Sequence, residues 1–373
     1  MPESHDTIDA QTRELLQRFG WDQATFKVLR ARLRAGAAES DNQIRGQVSP
    51  PEPGDVVALP PLGSPERREL EARGRDALRS GRVGAVVLAG GMATRFGGVV
   101  KAGVEAVEGR TFLDLKLSDV TRLAEREAAR IPIYVMTSFA THDEVERLSR
   151  ALETPHAPVR CFPQYISLRL APDGSLFHEP DGSLSPYAPG HGDLSFALRR
   201  AGLLDGFVQQ GGRLLYMSNV DNLGATLDPA VIGAHLRSGA EITAEVVRKE
   251  RGDKGGAPAR VDGAPQIVES FRFPADFDQD SIPVFNTNSF VLDATKLDRD
   301  FPLTWFVVRK KVEGLDAIQF ERLVGELTAF LPTAFLEVER HGADGRFQPV
   351  KDPDELDRRR AEITALLRAR GVL

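Results

Sequence analysis

The chain of 373 residues holds a single cysteine, Cys161, so it can form neither an intramolecular disulfide nor a cysteine metal cluster. No run approaches the roughly 18 apolar residues of a membrane span. The first ten residues, MPESHDTIDA, lack the positive-then-apolar order of a secretory signal. Positive charge is not in excess: 48 Lys and Arg against 54 Asp and Glu leave −6, which disfavours a dominant nucleic-acid surface but permits a local basic pocket for phosphates. There is no internal repeat and no low-complexity tract. Extracellular, membrane and DNA-packaging roles are disfavoured. The expectation is a cytoplasmic enzyme that binds no nucleic acid and no membrane. What is present is an ordinary globular balance, 41% hydrophobic and 27% charged residues, in a chain long enough for a substantial core.

Over 6–35, Leu15, Leu16, Phe19, Phe26, Leu29 and Leu33 recur at helical spacings, with a break near Gly20. Residues 37–63 hold five prolines and few large apolar residues, which predicts a surface connection rather than a core element. A charged helical pattern fills 65–80, so the first eighty residues read as a helical appendage. From Val83 the grammar changes. VGAVVLAG, IPIYVMTS, RLLYMSNV and AEITAEVV are continuous apolar runs, the mark of strands buried on both faces. Thr141 and Glu144 fit a capping box, and Asp228 with Pro229 fits a helix start. Strand and helix in alternation predict a parallel sheet with helices on both faces. The glycine- and proline-rich 251–283 reads as a small β-rich insertion, PVFNTNSFVLD as a strand, 315–331 as an amphipathic helix and 334–338 as a strand. Asp352, Pro353 and Glu355 cap a last helix.

The turn LAGGMATRFGGVVK (88–101) follows the first buried run. Gly90 and Gly91 allow a sharp turn and close approach to a ligand, while Arg95 and Lys101 add cations. Backbone N–H groups with two cations make a phosphate cradle; the alternative is a plain strand–turn–helix connection with solvated cations. Farther on, glycines flank His191 in YAPGHGDLSFAL, which suits a tight loop against a ligand or a histidine satisfied by backbone. Asp193 could cap the next helix. Asp221 lies just past the carboxyl end of a buried run, where open α/β sheets place ligands. With Asn219 and Asn222 beside it, that carboxylate suits Mg²⁺, or it caps a turn. Asn286 and Asn288 are two apart on a strand, so both amides face one side, to meet sugar hydroxyls or loop backbone.

These segments, together with FPQ (162–164), KGGAPARVDGAPQIVE (254–269), EGLDAIQFERLVGELTAFL and GRFQPVKDPDEL (345–356), resemble in order the signature blocks of the UDP-sugar pyrophosphorylases, and most closely their UDP-glucose branch. The resemblance runs from about Gly84 to Leu356. Ala93 stands where the signature has a third glycine, and Val100 where it has proline. It implies a Rossmann-like, GT-A-like nucleotidyltransferase fold: a mixed, mainly parallel sheet flanked by helices. It implies uridylyl transfer with Mg²⁺, from UTP to glucose 1-phosphate or another sugar 1-phosphate, releasing pyrophosphate. An N-acetylhexosamine or broad-specificity enzyme is the alternative, and a non-catalytic nucleotide-sugar binder a further one.

The resemblance also implies roles. Leu88, Ala89, Gly90, Gly91, Gln164, Gly190 and His191 go to the nucleotide, Gln164 reading the uracil edge. Asn219, Gly256, Glu269, Asn286 and Asn288 go to the sugar, and Asp221 to the metal. Arg95 and Lys101 go to the triphosphate and leaving pyrophosphate, and Lys351 bridges the α-phosphate and the sugar phosphate. Gln319 and Glu321 are assigned to packing and buried polar bonding. The expected division is 1–80 helical region and linker, 81–340 catalytic domain, and 341–373 a segment with the lysine and terminal helix. The chain ends at Leu373 without the family's C-terminal β-helix, so a monomer or weak dimer is expected.

Overall fold

The computed structural model describes residues 7–93, 98–253 and 255–373; Arg95 of the glycine-rich turn and Lys254 lie outside the described residues. Asp9 and Asp22 open α1 (Ala10–Arg18) and α2 (Gln23–Arg34) by accepting the otherwise unbonded N–H groups of Thr12 and of Ala24 and Thr25. Gly20, at φ +73°, makes the break between them. Leu16, Phe19, Phe26, Leu29 and Leu33 are buried in one cluster with Leu168, Leu170, Ile318 and Phe320.

The stretch 37–63 departs from the bare connection expected of it. It supplies β1 (Val48–Ser49) and β2 (Val56–Ala58). Strands this short leave no period in the sequence, and the prolines flank them instead of interrupting them. Then come α3 (Pro65–Arg79), β3 (Val83–Leu88), α4 (Phe112–Arg126), β4 (Ile133–Thr137), α5 (His142–Arg150), β5 (Val159–Pro163), α6 (Leu194–Arg200), α7 (Leu203–Gln209), β6 (Leu214–Asn219), α8 (Pro229–Ser238) and β7 (Ile242–Arg248). The insertion is the hairpin β8 (Ala257–Val261) and β9 (Ala264–Val268), to which β1 adds a third antiparallel strand. β10 (Val284–Asp293), β11 (Phe306–Val312), β12 (Leu315–Glu321), β13 (Thr333–Glu337) and α9 (Pro353–Ala369) complete the chain.

Eight strands form the main sheet in the order β2-β13-β7-β10-β6-β3-β4-β5, with β10 alone antiparallel to its neighbours. This is the mixed, mainly parallel sheet expected. On β3, Val83, Ala85 and Val87 face one core and Val86 and Leu88 the other, so an apolar run was required throughout. α3 packs into the first of these cores through Leu70, Ala77 and Leu78. It crosses α8 at backbone contact: a Cβ on Gly74 would lie 1.8 Å from the carbonyl oxygen of Pro229, and one on Gly233 1.9 Å from that of Leu70.

Two local expectations fail. Thr141 caps no helical N–H; its hydroxyl accepts from the N–H of Ser138 at 3.0 Å and donates to the Ala89 carbonyl at 3.1 Å, so the capping box with Glu144 does not form. Residues 315–331 are not a helix but β12 followed by a 3₁₀ segment, Val324–Ala329. Glu313 and Gly314, at φ 47° and 83°, turn β11 into β12 as a tight hairpin, and the β-branched run of β11 offers β12 a partner that no helical period could match. Among the described residues no helix is long and apolar enough to cross a membrane.

The segment 341–351 is bound to the sheet by a charge. Arg346 and Glu245 of β7 are both 0% exposed and meet through Nε and Nη2 at 2.6 and 2.7 Å. Nη2 also donates to the Tyr216 hydroxyl at 2.9 Å and the Thr226 carbonyl at 2.8 Å. Glu245→Gln leaves a buried guanidinium without its carboxylate and is expected to cost about 3–5 kcal/mol. Urea unfolding measures it, and a loss under about 1 kcal/mol, the scale of an exposed pair, would contradict the burial.

His235 of α8 is also buried, its Nδ1 2.9 Å from Thr243 Oγ1, and burial pulls its pKa down to about 4 against the opposing pull of Asp293. The unfolded chain protonates this ring near 6.5. Between those values the unfolded state binds the extra proton, so the contribution is intact above about 6.5 and is lost as pH falls toward 4. His235→Gln is expected to flatten the slope of stability against pH in that window by about one proton. An unchanged slope would mean that the folded protein holds the ring charged.

Candidate functional site

The glycine turn starts where β3 stops. Leu88 pairs with Asn219 at the end of β6, and the N–H of Ala89 donates to the Met136 carbonyl on β4. Glycine at 90 lets the Gln164 amide lie against the turn, since a Cβ there would lie 2.3 Å from Gln164 Nε2. Gln164 follows β5 and is 5% exposed; its N–H donates to the Thr137 carbonyl and its Oε1 accepts from the Gly190 N–H at 3.2 Å. The side-chain NH₂ has no hydrogen-bond partner among the described residues. Three segments far apart in sequence thus meet at one amide. Gly91 is exposed and open, and Ala93 lies in extended backbone paired with Val99.

The P-G-H-G-D loop is pressed onto the chain at 322–324. Cβ atoms on Gly190 and Gly192 would lie 2.7 Å from the Arg322 carbonyl oxygen and 2.5 Å from Leu323 N. Val324 N–H donates to His191 Nδ1 at 3.0 Å, which puts the ring proton on Nε2, and burial pulls the pKa of His191 down to about 4. The ring is neutral at pH 7. Asp193 is no helix cap. Fully buried, it accepts from the N–H of Tyr165 and from Arg322, whose guanidinium lies 4.2 Å from the Trp305 ring centroid and 4.4 Å from that of Phe196. Burial pushes the Asp193 carboxyl up, against the pull of Arg322.

The sugar candidates form one hydrogen-bonded run. Gly256 O accepts from the N–H of Asn286 at 2.7 Å, Asn286 Oδ1 from the N–H of Asn288 at 3.1 Å, and Asn219 Oδ1 from Asn288 Nδ2 at 3.0 Å. At Asn288 the strand departs from regular geometry. The register of β7 and β10 steps from Glu245–Ser289 to Val246–Asn286, and Asn288 takes φ 58°. This bulge turns Asn288 toward β6. Glu269 closes the run: a Cβ on Gly256 would lie 3.0 Å from its carboxyl carbon. Burial raises its pKa, with Arg272 opposing.

Lys101 and Asp221 meet in an ion pair, their side chains 15% and 19% exposed. Among the described residues no three His, Cys, Asp or Glu side chains gather as a metal cluster. A lone carboxylate at a strand end fits Mg²⁺, which takes one or two carboxylates and otherwise phosphate and water oxygens. Asn222 does not belong to that set. It is buried, and its side chain donates to the Arg346 carbonyl at 3.3 Å and accepts from the N–H of Gln348 at 2.8 Å. With the bridge Asn222–Pro349 it holds 346–349 against the Asp221 turn, and so brings Lys351 to the same edge. Lys351 is exposed, its N–H bonded to Glu355 Oε2 at 2.7 Å. Asp352 and Pro353 open α9 as their types require.

Gln319 and Glu321 bond each other through Nε2 and Oε1 at 2.5 Å, with Arg169 on Gln319, in keeping with a packing role though on a strand. Sequence reading missed Arg322, Arg346 and Glu245; each is a charge in or beside an apolar run, legible only as an oddity.

Residues 24–366 match the family described as UTP--glucose-1-phosphate uridylyltransferase. UTP--glucose-1-phosphate uridylyltransferase 2 of Dictyostelium discoideum is 30% identical over 332 residues, covering 83% of this chain and 63% of that protein. The Saccharomyces cerevisiae UTP--glucose-1-phosphate uridylyltransferase is 30% identical over 292 residues, covering 72% and 57%. The chain thus spans less than two thirds of either relative. Among solved structures, the uridine diphosphate N-acetylglucosamine pyrophosphorylase of Trypanosoma brucei has TM-score 0.77 at 21% identity, covering 96% of this chain and 80% of that one. The UDP-glucose phosphorylase of the same organism has TM-score 0.73 at 24% identity, covering 92% and 76%. These two are likenesses of fold. The family match extends over most of the sequence, and the chain belongs to the UTP--glucose-1-phosphate uridylyltransferase family.

Proposed function

We propose that the chain transfers the uridylyl group of UTP to a sugar 1-phosphate, with glucose 1-phosphate preferred, yielding UDP-sugar and pyrophosphate. One observation carries this reading: the Gln164 amide, the Lys101–Asp221 pair and the linked amides of Asn219, Asn286 and Asn288 gather at the carboxyl edge of one sheet. Gln164 Nε2 donates to a uracil carbonyl, while Gly90, lacking a Cβ, leaves room for that amide and the Gly190 N–H holds its Oε1. Asn286, Asn288 and Glu269 hold sugar hydroxyls.

A sugar phosphate oxygen attacks the α-phosphorus in line as the bond to the β-bridging oxygen breaks, and pyrophosphate leaves with the electron pair. The attacking oxygen is already anionic, so no general base is needed. The difficulty is joining two polyanions. Asp221 would hold Mg²⁺, which when bound supplies charge neutralisation at the triphosphate. Lys101 exchanges its carboxylate partner for phosphate oxygens, Arg95 joins it there, and Lys351 places its ammonium between the α-phosphate and the sugar phosphate. His191, neutral, offers its Nε2 proton as a hydrogen-bond donor and takes no part in proton transfer.

Pyrophosphate release from UTP with a panel of sugar 1-phosphates tests the reading; no release with any of them would overturn it, and preference for an N-acetylhexosamine 1-phosphate would change the sugar. Lys351→Ala is expected to cut kcat by at least about 10²-fold with little change in unfolding midpoint, and near-native turnover would remove the lysine from the mechanism. Asp221→Asn keeps the shape but loses the charge, so half-maximal turnover should need more Mg²⁺. An unchanged Mg²⁺ titration would leave Asp221 a turn residue.

A further inference from the structure

Lys116 sits on the apolar stripe of α4, among Phe112, Leu113, Leu117 and Val120, and is 4% exposed. An ammonium there costs several kcal/mol of desolvation, and methionine would fill the same space without that cost. Among the described residues no carboxylate bonds it. Its Nζ donates instead to two carbonyls, that of Asn222 at 2.8 Å and that of Ala225. One turn along α4, Asp119 accepts from the N–H of Leu227 at 3.3 Å. Burial pulls the Lys116 pKa down to about 7; Asp119, Asp221 and Glu245 oppose this and Arg346 adds to it.

The two carbonyls lie one and four residues after Asp221. Asn222 is also the residue whose side chain fastens 346–348, and with it Lys351, to the sheet. A single donor therefore stands beneath both charged ends of the proposed phosphate site. We infer that Lys116 is a positioning residue: through Asn222 and Ala225 it fixes the turn from which the Asp221 carboxylate projects and against which the Lys351 segment is hung. The inference rests on the roles given above to Asp221 and Lys351.

Lys116→Met keeps the volume and removes the donor. Hydrogen exchange followed by mass spectrometry should show faster exchange at 222–227 and 346–351, with α1 and α2 unchanged. Turnover of UTP and glucose 1-phosphate should fall about 10–100-fold with KM nearly unchanged, the usual scale for a group that orients a ligand of a metal or phosphate. In the Asp221→Asn, Lys351→Ala background the same substitution should lower kcat no more than about 3-fold, because the groups it positions are gone. Equal losses in both backgrounds, or unchanged exchange at 222–227, would overturn the inference. If Lys116→Met does not unfold cooperatively, Lys116→Leu, which also removes the donor, replaces it with the same expectations. If the unsubstituted protein turns over no sugar phosphate, the functional reading has failed, and the exchange result alone decides whether Lys116 orders the turn.

Discussion

A guanidinium with no access to water has to be surrounded by acceptors, and Arg346 sets that demand on everything near it. Two oxygens of Glu245 on β7, the hydroxyl of Tyr216 on β6 and the carbonyl of Thr226 meet it. Those three places belong to two strands and to the loop between β6 and α8. Hydrophobic contact alone would let the segment 341–351 lie on the sheet in several registers, whereas a buried charge is satisfied in one. Once Arg346 is seated, Gln348 reaches Asn222, Pro349 pairs with it, and Lys351 comes to the edge that holds Asp221. The adjoining site is a consequence of satisfying one buried ion.

The sheet was legible because it needed apolar residues without interruption: β3, β4, β6 and β7 are each buried from end to end or nearly so, and such runs cannot hide. The glycine positions were legible because close approach leaves few choices; Gly90, Gly190 and Gly192 each touch another segment's atoms where a Cβ would be. Where sequence reading failed, a longer-range partner decided. Leu315–Glu321 carries apolar residues at spacings that suit a helix, and the strand Phe306–Val312 beside it made it β. Thr141 had the right neighbours for a cap, but the Ala89 carbonyl, just past β3, took its hydroxyl. Asn288 takes a positive φ that strand spacing does not announce, and its amide donates to Asn219, 69 residues earlier.

The side proposed for the base follows a different physical rule from the side proposed for the phosphates. Around Gln164 neutral side chains meet backbone, Gln164 at the Gly190 N–H and His191 at the Val324 N–H, with the ion pair Asp193–Arg322 set behind the loop among aromatic rings. Around Asp221 the contacts are ionic or charge-assisted. A neutral, shape-fixed wall discriminates by fit and by the pattern of donors, which suits an uncharged pyrimidine edge. A wall of charges discriminates little by shape and much by valence, which suits phosphates.

The crossing of α3 and α8 has a mechanical consequence. With Gly74 and Gly233 at the contact, no side chains lie between the two backbones to bend or change rotamer, so the joint has no soft layer to absorb displacement. α8 begins at Asp228, which Arg67 of α3 grips at 2.8 Å, seven residues after Asp221. A displacement of α3 is therefore passed on through this joint as through a rigid lever, toward the loop that carries Asp221.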